Sequence, residues 1–276
     1  MTVCIVGLGL MGGSFALSLK NSLKICTIIG YDLNKDHQFQ AKNLNLVHHI
    51  AKDFDEVKKS DIIILAIPVE AIIKTLKLLE GIDSKTTIID LGSTKEKISI
   101  QTPKSIKKNL ILAHPMTGTE KVGPSAAFST LYRDKIVVLC DLEHSGKHQQ
   151  AQAIKIFEAL SMKISYMKSK EHDSHAAFIS HLPHAISFAL ANSVLKQEDP
   201  KSILALSAGG FRDMSRIAKS SPIMWSDIFR QNKTNILTSI EAFNKELTYL
   251  EKLIKDEEWE KMQKWMKNAN LLHNIL

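Results

Sequence analysis

The sequence holds no uninterrupted apolar run of the roughly 18 to 20 residues that a membrane-crossing helix needs, so no membrane partner is expected. Its apolar N-terminus has no basic region ahead of it and is broken by Gly7, Gly9, Gly12 and Gly13, which suits a tight turn better than a secretory leader. Cysteine is scarce. The three present, Cys4, Cys26 and Cys140, each sit in a short apolar run that reads as a strand. An odd, scattered set of this kind gives no disulfide framework and fits buried free thiols in a reducing compartment, so a cytoplasmic protein is expected. Internal repeats and low-complexity segments are absent, which sets aside solenoids and disordered linkers. What remains is 276 residues, 44% hydrophobic and 24% charged, an ordinary globular composition with room for two domains.

The net charge of +7 is uneven, with 22 Lys and Arg against 16 Asp and Glu in residues 1–168. A basic surface speeds encounters with anionic small molecules. The densest basic stretch, Lys104 to Lys108, has no aromatic residue on which a base could stack, so it reads as a solvated face and nucleic acid is not an expected partner.

Residues 1–168 alternate short apolar runs with amphipathic segments. The strand candidates are Val3–Val6, Cys26–Tyr31, Asp61–Ile67, Thr87–Leu91, Leu110–Ala113, Ile136–Cys140 and Lys163–Met167. They are apolar without alternation, as strands of a parallel sheet covered on both faces are. Helical patterns such as Ser14–Asn21 and Val69–Leu79 lie between them, which predicts a doubly wound α/β domain of Rossmann type. After residue 168 strand runs vanish. Helical patterns cover Asp173–Leu195, Lys201–Ala208, Pro222–Leu253 and Glu257–Leu272, and Pro183 is expected to kink the first. The stretch from Gly209 to Pro222 reads as a loop with a short helix. The fold expected is therefore α/β, a Rossmann-type domain (1–168) followed by an all-helical domain (169–276).

The first strand runs into Gly7-Leu8-Gly9-Leu10-Met11-Gly12, and a helical pattern follows. A bare GxGxxG is weak, but the strand before it and the helix after it are the context a dinucleotide site requires. Gly7 allows the turn, Gly9 lets backbone approach a pyrophosphate, and Gly12 lets helix and strand pack closely. Twenty residues beyond Gly12, Asp32 ends the second strand where a carboxylate can bind ribose hydroxyls. A carboxylate there repels a 2′-phosphate, and no arginine follows it, so NAD is expected over NADP, with Lys35 softening the repulsion. Leu10, Met11, Ala66 and Pro68 complete the expected cofactor contacts.

Four further polar segments stand out: Asp90-Leu91-Gly92-Ser93-Thr94-Lys95, His114-Pro115-Met116-Thr117-Gly118-Thr119-Glu120, Ser180-His181-Leu182-Pro183-His184, and Gly209-Gly210-Phe211-Arg212-Asp213-Met214-Ser215-Arg216 leading to Trp225. The first two close strands, where open α/β sheets bind ligands. With their order and spacing over nearly the whole chain, these segments resemble the prephenate dehydrogenase family, including its arogenate-using members.

That resemblance implies oxidative decarboxylation of prephenate with NAD, as part of tyrosine biosynthesis. It implies His114 as the base for the substrate hydroxyl, a role a neutral imidazole can fill at cellular pH. Ser93 is implied to orient His114 or the same hydroxyl, and it also reads as a cap for a helix starting near Thr94. Arg216, His184 and Thr119 are the implied substrate contacts; a guanidinium suits a carboxylate. His181 reads as structural and Trp225 as a core or interface aromatic. Homodimerisation through the helical domain is implied. A family regulatory domain would extend well past residue 276, and none is expected. The cluster His172, His175, His181 and His184 invites a metal reading, but no cysteine is near and Pro183 disturbs the spacing, so no metal is expected. Arogenate as substrate and a β-hydroxyacid dehydrogenase with a catalytic lysine stay open as alternatives, as does a non-catalytic nucleotide sensor.

Overall fold

The structure is a computed structural model and describes residues 1–22 and 27–275, so Cys26 lies outside the described residues. Among these, eight strands form one sheet: β1 (Thr2–Val6), β2 (Thr27–Tyr31), β3 (His49–Ile50), β4 (Ile62–Leu65), β5 (Thr87–Asp90), β6 (Leu110–Pro115), β7 (Ile136–Cys140) and β8 (Lys163–Met167). Their order is β3-β2-β1-β4-β5-β6-β7-β8.

Successive side chains of a strand point to opposite faces, and here both faces are covered. Val3, Ile5, Ile62, Ile64, Ile89 and Ile111 enter one buried cluster. Their neighbours Cys4, Val6, Ile63, Leu65, Ile88 and Leu112 enter the other. That is why the strand sequences show no polar alternation. Each fully buried aliphatic side chain contributes roughly 1.5–3 kcal/mol, so the sheet is the anchor of the fold.

Pairing is parallel from β3 through β6 and again between β7 and β8. One pair departs from the expected all-parallel sheet: β6 and β7 are antiparallel, Leu112 opposite Cys140. The chain between them carries only the short turn Pro124–Ala126 and no helix to bring it back across the sheet. The two-residue β3 was not expected, because two residues carry no periodicity. The carboxyl ends of β1, β4, β5 and β6 share one edge, and β1 lies between β2 and β4, the point where strand order reverses.

After β8 the chain is helical, which matches the change of composition near residue 168. The stretch Ser169–Leu195 runs as an α-helix (Ser169–Ala176), a π turn (Ala177–His181) and a second α-helix (Leu182–Leu195). Pro183 therefore falls in the first turn of the second helix, where its missing N–H is tolerated, and the wider turn before it absorbs the disturbance. By length and mean hydropathy alone this stretch is long and apolar enough to span a membrane, although polar residues interrupt its apolar runs. Residues Gly209–Arg216 are more regular than expected, forming a helix followed by a 3₁₀ turn at Ile217–Lys219. The expected single helix Pro222–Leu253 is two, Pro222–Gln231 and Lys233–Lys255, parted at Asn232.

Compactness divides the chain at the same place, into Met1–Asn232 and Lys233–Leu276. The second unit is a helical hairpin of Lys233–Lys255 and Trp259–Asn270. The Trp265 indole donates to Glu246 across it at 2.8 Å. In the ion pairs Lys245–Glu241 and Lys255–Glu251 of its first helix, the two partners stand one helical turn apart.

Candidate active site

The loop after β1 has the glycines it needs. Gly7 adopts φ +94°, and a Cβ there would meet the Ala66 carbonyl oxygen at 2.4 Å; at Gly12 a Cβ would meet the Gly7 carbonyl oxygen at 1.8 Å. Gly9 faces open space. The helix that follows, Leu10–Ser22, has no acidic residue in its first turn, so its free N–H groups and positive end suit an anion. Asp32 stands beside this turn: one carboxylate oxygen accepts from the Leu8 N–H at 2.8 Å and the other from the Asn34 N–H at 2.8 Å. His37 Nδ1 is 3.3 Å from the same carboxylate. Ala66 donates its N–H to Val6 O at 2.8 Å, and Pro68 sits at the N-terminus of helix Val69–Leu78. A glycine cradle, an uncapped helix end and a strand-end carboxylate fit a dinucleotide.

The ends of β5 and β6 form the second half of the site. Lys95 is fully buried; its ammonium donates to Asp90 and, at 2.8 Å, to the Ala113 carbonyl. Burial pushes the Asp90 carboxyl up, and the Lys95 ammonium pulls against that. His114 is 9% exposed. Its Nδ1 lies 2.8 Å from His172 Nε2, and His172 Nδ1 lies 2.8 Å from Asp173 Oδ1. Burial holds the His114 imidazole well below the ordinary histidine value, and the electrostatic influence of His172, Lys95 and His181 adds to the effect. The ring is therefore neutral, and so able to accept a proton, through the neutral pH range.

Asp173 also reaches the loop after β5, accepting from the Lys95 N–H at 2.8 Å and the Glu96 N–H at 2.9 Å. It thereby supplies the acceptor for helix Glu96–Gln101, whose own flanking residues offer no side-chain cap. The π turn brings in the remaining histidines. His181 Nδ1 is 3.1 Å from the Asn232 amide nitrogen, and burial pushes its pKa down to about 4. The His184 ring stacks on Trp225 with centroids 3.6 Å apart, and its Nδ1 donates to Ser180 O at 2.9 Å. Partial burial, and then nearby Arg216, lower its pKa against the pull of that carbonyl. Arg216 is exposed and pairs with Glu120 at 3.5 Å.

Two domain families match consecutive parts of this chain: residues 15–166 match the nucleotide-binding domain of prephenate dehydrogenase, and residues 168–268 its dimerization domain. The chain is 31% identical to a prephenate dehydrogenase of Bacillus subtilis over 97% of its own length and 74% of the relative's. It is 31% identical to a cyclohexadienyl dehydrogenase of Zymomonas mobilis over 93% and 89%. The chain belongs to the prephenate dehydrogenase family. Its fold matches the crystal structure of the Aquifex aeolicus prephenate dehydrogenase with hydroxyphenyl propionate and NAD⁺, with TM-score 0.92 and 34% identity over 99% and 97% of the two chains. An arogenate dehydrogenase from Synechocystis matches with TM-score 0.81 and 27% identity over 99% of each chain.

The family residues expected from sequence fall into groups. Gly7, Gly9, Leu10, Met11, Gly12, Asp32, Ala66 and Pro68 surround the turns after β1, β2 and β4. His114 and Ser93 lie at the ends of the adjacent strands β6 and β5. Ser93 does not cap the following helix, which begins at Glu96 and is capped by Asp173, and the side chain hydrogen-bonded to the His114 ring is His172. Thr119 is on an exposed loop, where its hydroxyl accepts from the Lys121 N–H at 3.2 Å. Trp225 is buried against His181 and His184. Sequence reasoning missed His172, Asp173, Lys95, Asn232 and Glu120. Asp173 directly after His172 was the available signal, an acid beside an imidazole at the start of a helix.

Proposed function

We propose that this protein oxidises and decarboxylates prephenate to 4-hydroxyphenylpyruvate with NAD⁺, a step of tyrosine formation. The observation that carries the reading is His114: a buried imidazole kept neutral at the end of β6, on the same carboxyl edge of the sheet as the glycine turn after β1. The hydroxyphenyl propionate held by the Aquifex aeolicus relative has the phenol ring and acid side chain of the proposed product, which supports the same substrate class.

Gly7, Gly9, Gly12 and the first turn after Leu10 would hold the pyrophosphate, and Asp32 the ribose, with Leu10, Met11, Ala66 and Pro68 flanking. NAD⁺, when bound, takes up the hydride from the hydroxyl-bearing ring carbon. His114 accepts the proton of that hydroxyl, and Ser93 orients the same group. Arg216, His184 and Thr119 hold the substrate's carboxylate end. Once the ring ketone forms, loss of the ring carboxylate as CO₂ gives an aromatic phenol, so the sequence is driven forward without a further electron sink. A proton acceptor of this kind is worth about a hundred- to ten-thousandfold in rate.

Residues 169–276 serve substrate binding and dimerisation in this reading, and the working form is a homodimer in the cytoplasm. A dimerisation family matched over residues 168–268 supports this. So does the apolar character of Ser169–Leu195, which is better suited to pairing with a second copy than to a bilayer because it carries Asp173 and four histidines.

The decisive assay offers purified protein NAD⁺ with prephenate and, separately, arogenate, following reduced nicotinamide. Prephenate should be turned over faster, and His114→Asn should remove turnover. No reduction with either substrate, or an active His114→Asn protein, would overturn the reading.

A further inference from the structure

His172 and Asp173 belong to no part of the reaction as described, yet they make the hydrogen-bonded contacts that reach the His114 ring. With both histidine rings neutral, hydrogen-bonding capacity fixes where the protons sit. A carboxylate only accepts, so His172 Nδ1, 2.8 Å from Asp173 Oδ1, carries a hydrogen. In the neutral ring that leaves His172 Nε2 with a lone pair. This lone pair faces His114 Nδ1 at 2.8 Å, so His114 Nδ1 is the donor of that bond. His114 Nε2 is then the nitrogen without a hydrogen. We infer that the Asp173–His172 pair is a positioning device that locks His114 in its Nδ1–H form, making Nε2 the atom that takes the substrate's hydroxyl proton.

The inference rests on the reading of His114 as the base and specifies which atom acts. In the step, the substrate O–H bond breaks as the N–H bond at His114 Nε2 forms. The C–H electron pair leaves as hydride to NAD⁺, and the imidazolium proton returns to solvent between turnovers. The electrostatic surroundings suit transient charge. Lys95 (tied to Asp90) opposes positive charge on His114 in the resting protein, while Asp173, reached through His172, is the counter-charge when it forms.

Asp173 is held rigidly enough for this role. Its carboxylate takes the Lys95 and Glu96 N–H groups, and its carbonyl accepts from the Asn232 amide at 2.7 Å. Helix capping accounts for the first two contacts. It does not account for His172 bridging to His114, so His172 is the residue to test.

The experiment uses the full chain labelled with ¹⁵N-histidine, with His114 assigned by its disappearance in His114→Asn. The expected spectrum has a pyridine-like Nε2 and a pyrrole-like Nδ1 for His114 at neutral pH. His172→Phe, which offers no acceptor, should convert Nε2 to the pyrrole-like form and lower kcat about a hundredfold or more with KM little changed. His172→Gln, whose amide oxygen can accept from His114 Nδ1, should keep kcat within about tenfold of the parent protein. A pyrrole-like Nε2 in the parent protein overturns the inference, as does equal loss or equal retention of rate in the two variants. Should the Phe variant not fold, the spectrum of the unaltered protein still decides. An active His114→Asn protein would overturn the base reading itself, whereas an inactive one with the wrong tautomer in the parent overturns only the role of His172.

Discussion

Acidification should unfold this protein earlier than its carboxylates alone would, and His181 is where the effect can be isolated. The side chain is 1% exposed, its Nδ1 takes the Asn232 amide hydrogen, and its pKa is pushed down to about 4 mainly by burial, with Asp173 pulling the other way. An unfolded chain protonates this ring near 6.5. Between those values the unfolded state binds a proton that the folded state refuses. The contribution of His181 is therefore intact above about pH 6.5 and is lost as pH falls toward 4. The full window corresponds to roughly 3 kcal/mol, of which roughly 2 kcal/mol is gone by pH 5. The assay is urea denaturation of the parent protein and of His181→Gln at pH 7 and pH 5, without ligand and at one protein concentration. Glutamine does not titrate, so the stability of the variant should fall between the two pH values by roughly 2 kcal/mol less than that of the parent. His114 and the carboxylates titrate in both proteins and cancel. Equal losses in the two proteins would refute the assignment.

Arg216→Ala should raise KM for prephenate more than it lowers kcat, with the fold intact, because the exposed pair with Glu120 contributes at most about 1 kcal/mol; a fall in kcat at unchanged KM would contradict this. Gly12→Ala would set a methyl group 1.8 Å from the Gly7 carbonyl oxygen, so NAD⁺ binding measured by calorimetry should be lost or the domain destabilised by about 1–3 kcal/mol. Asp32→Ala should relax the preference for NAD⁺ over NADP⁺ in paired kcat/KM measurements; unchanged selectivity would remove Asp32 from that role.

The central strands of the sheet were legible because their residues obey one rule. Runs such as Ile62–Leu65 are apolar at every position, and such runs are stable only with both faces covered. The reversal at β7 was not legible, because strand direction depends on the connection, and residues 116–135 carry no helical or hairpin signature. The break at Asn232 was hidden for a different reason: helical periodicity continues through it, and what stops the helix is a tertiary set of hydrogen bonds to Asp173 and His181. The dinucleotide turn was readable from local geometry alone, since Gly7 and Gly12 are dictated by contacts within a few residues or to one neighbouring strand. His114 was readable through its motif. Its partner was not, because His172 lies 58 residues away and nothing in a linear pattern pairs two histidines across that separation.

The ammonium enclosed between β5 and β6 constrains how this sequence can drift. Lys95 and Asp90 are both inaccessible to water, so losing either alone strands the other as a lone ion in a dry interior, at about 3–5 kcal/mol. Replacing both with well-fitted apolar groups carries no such penalty. It would, however, remove the Lys95 charge that adds to burial in disfavouring a proton on His114. Divergence at these two positions must therefore be concerted, and lineages that abandon the pair leave the neighbouring imidazole to be held neutral chiefly by its burial.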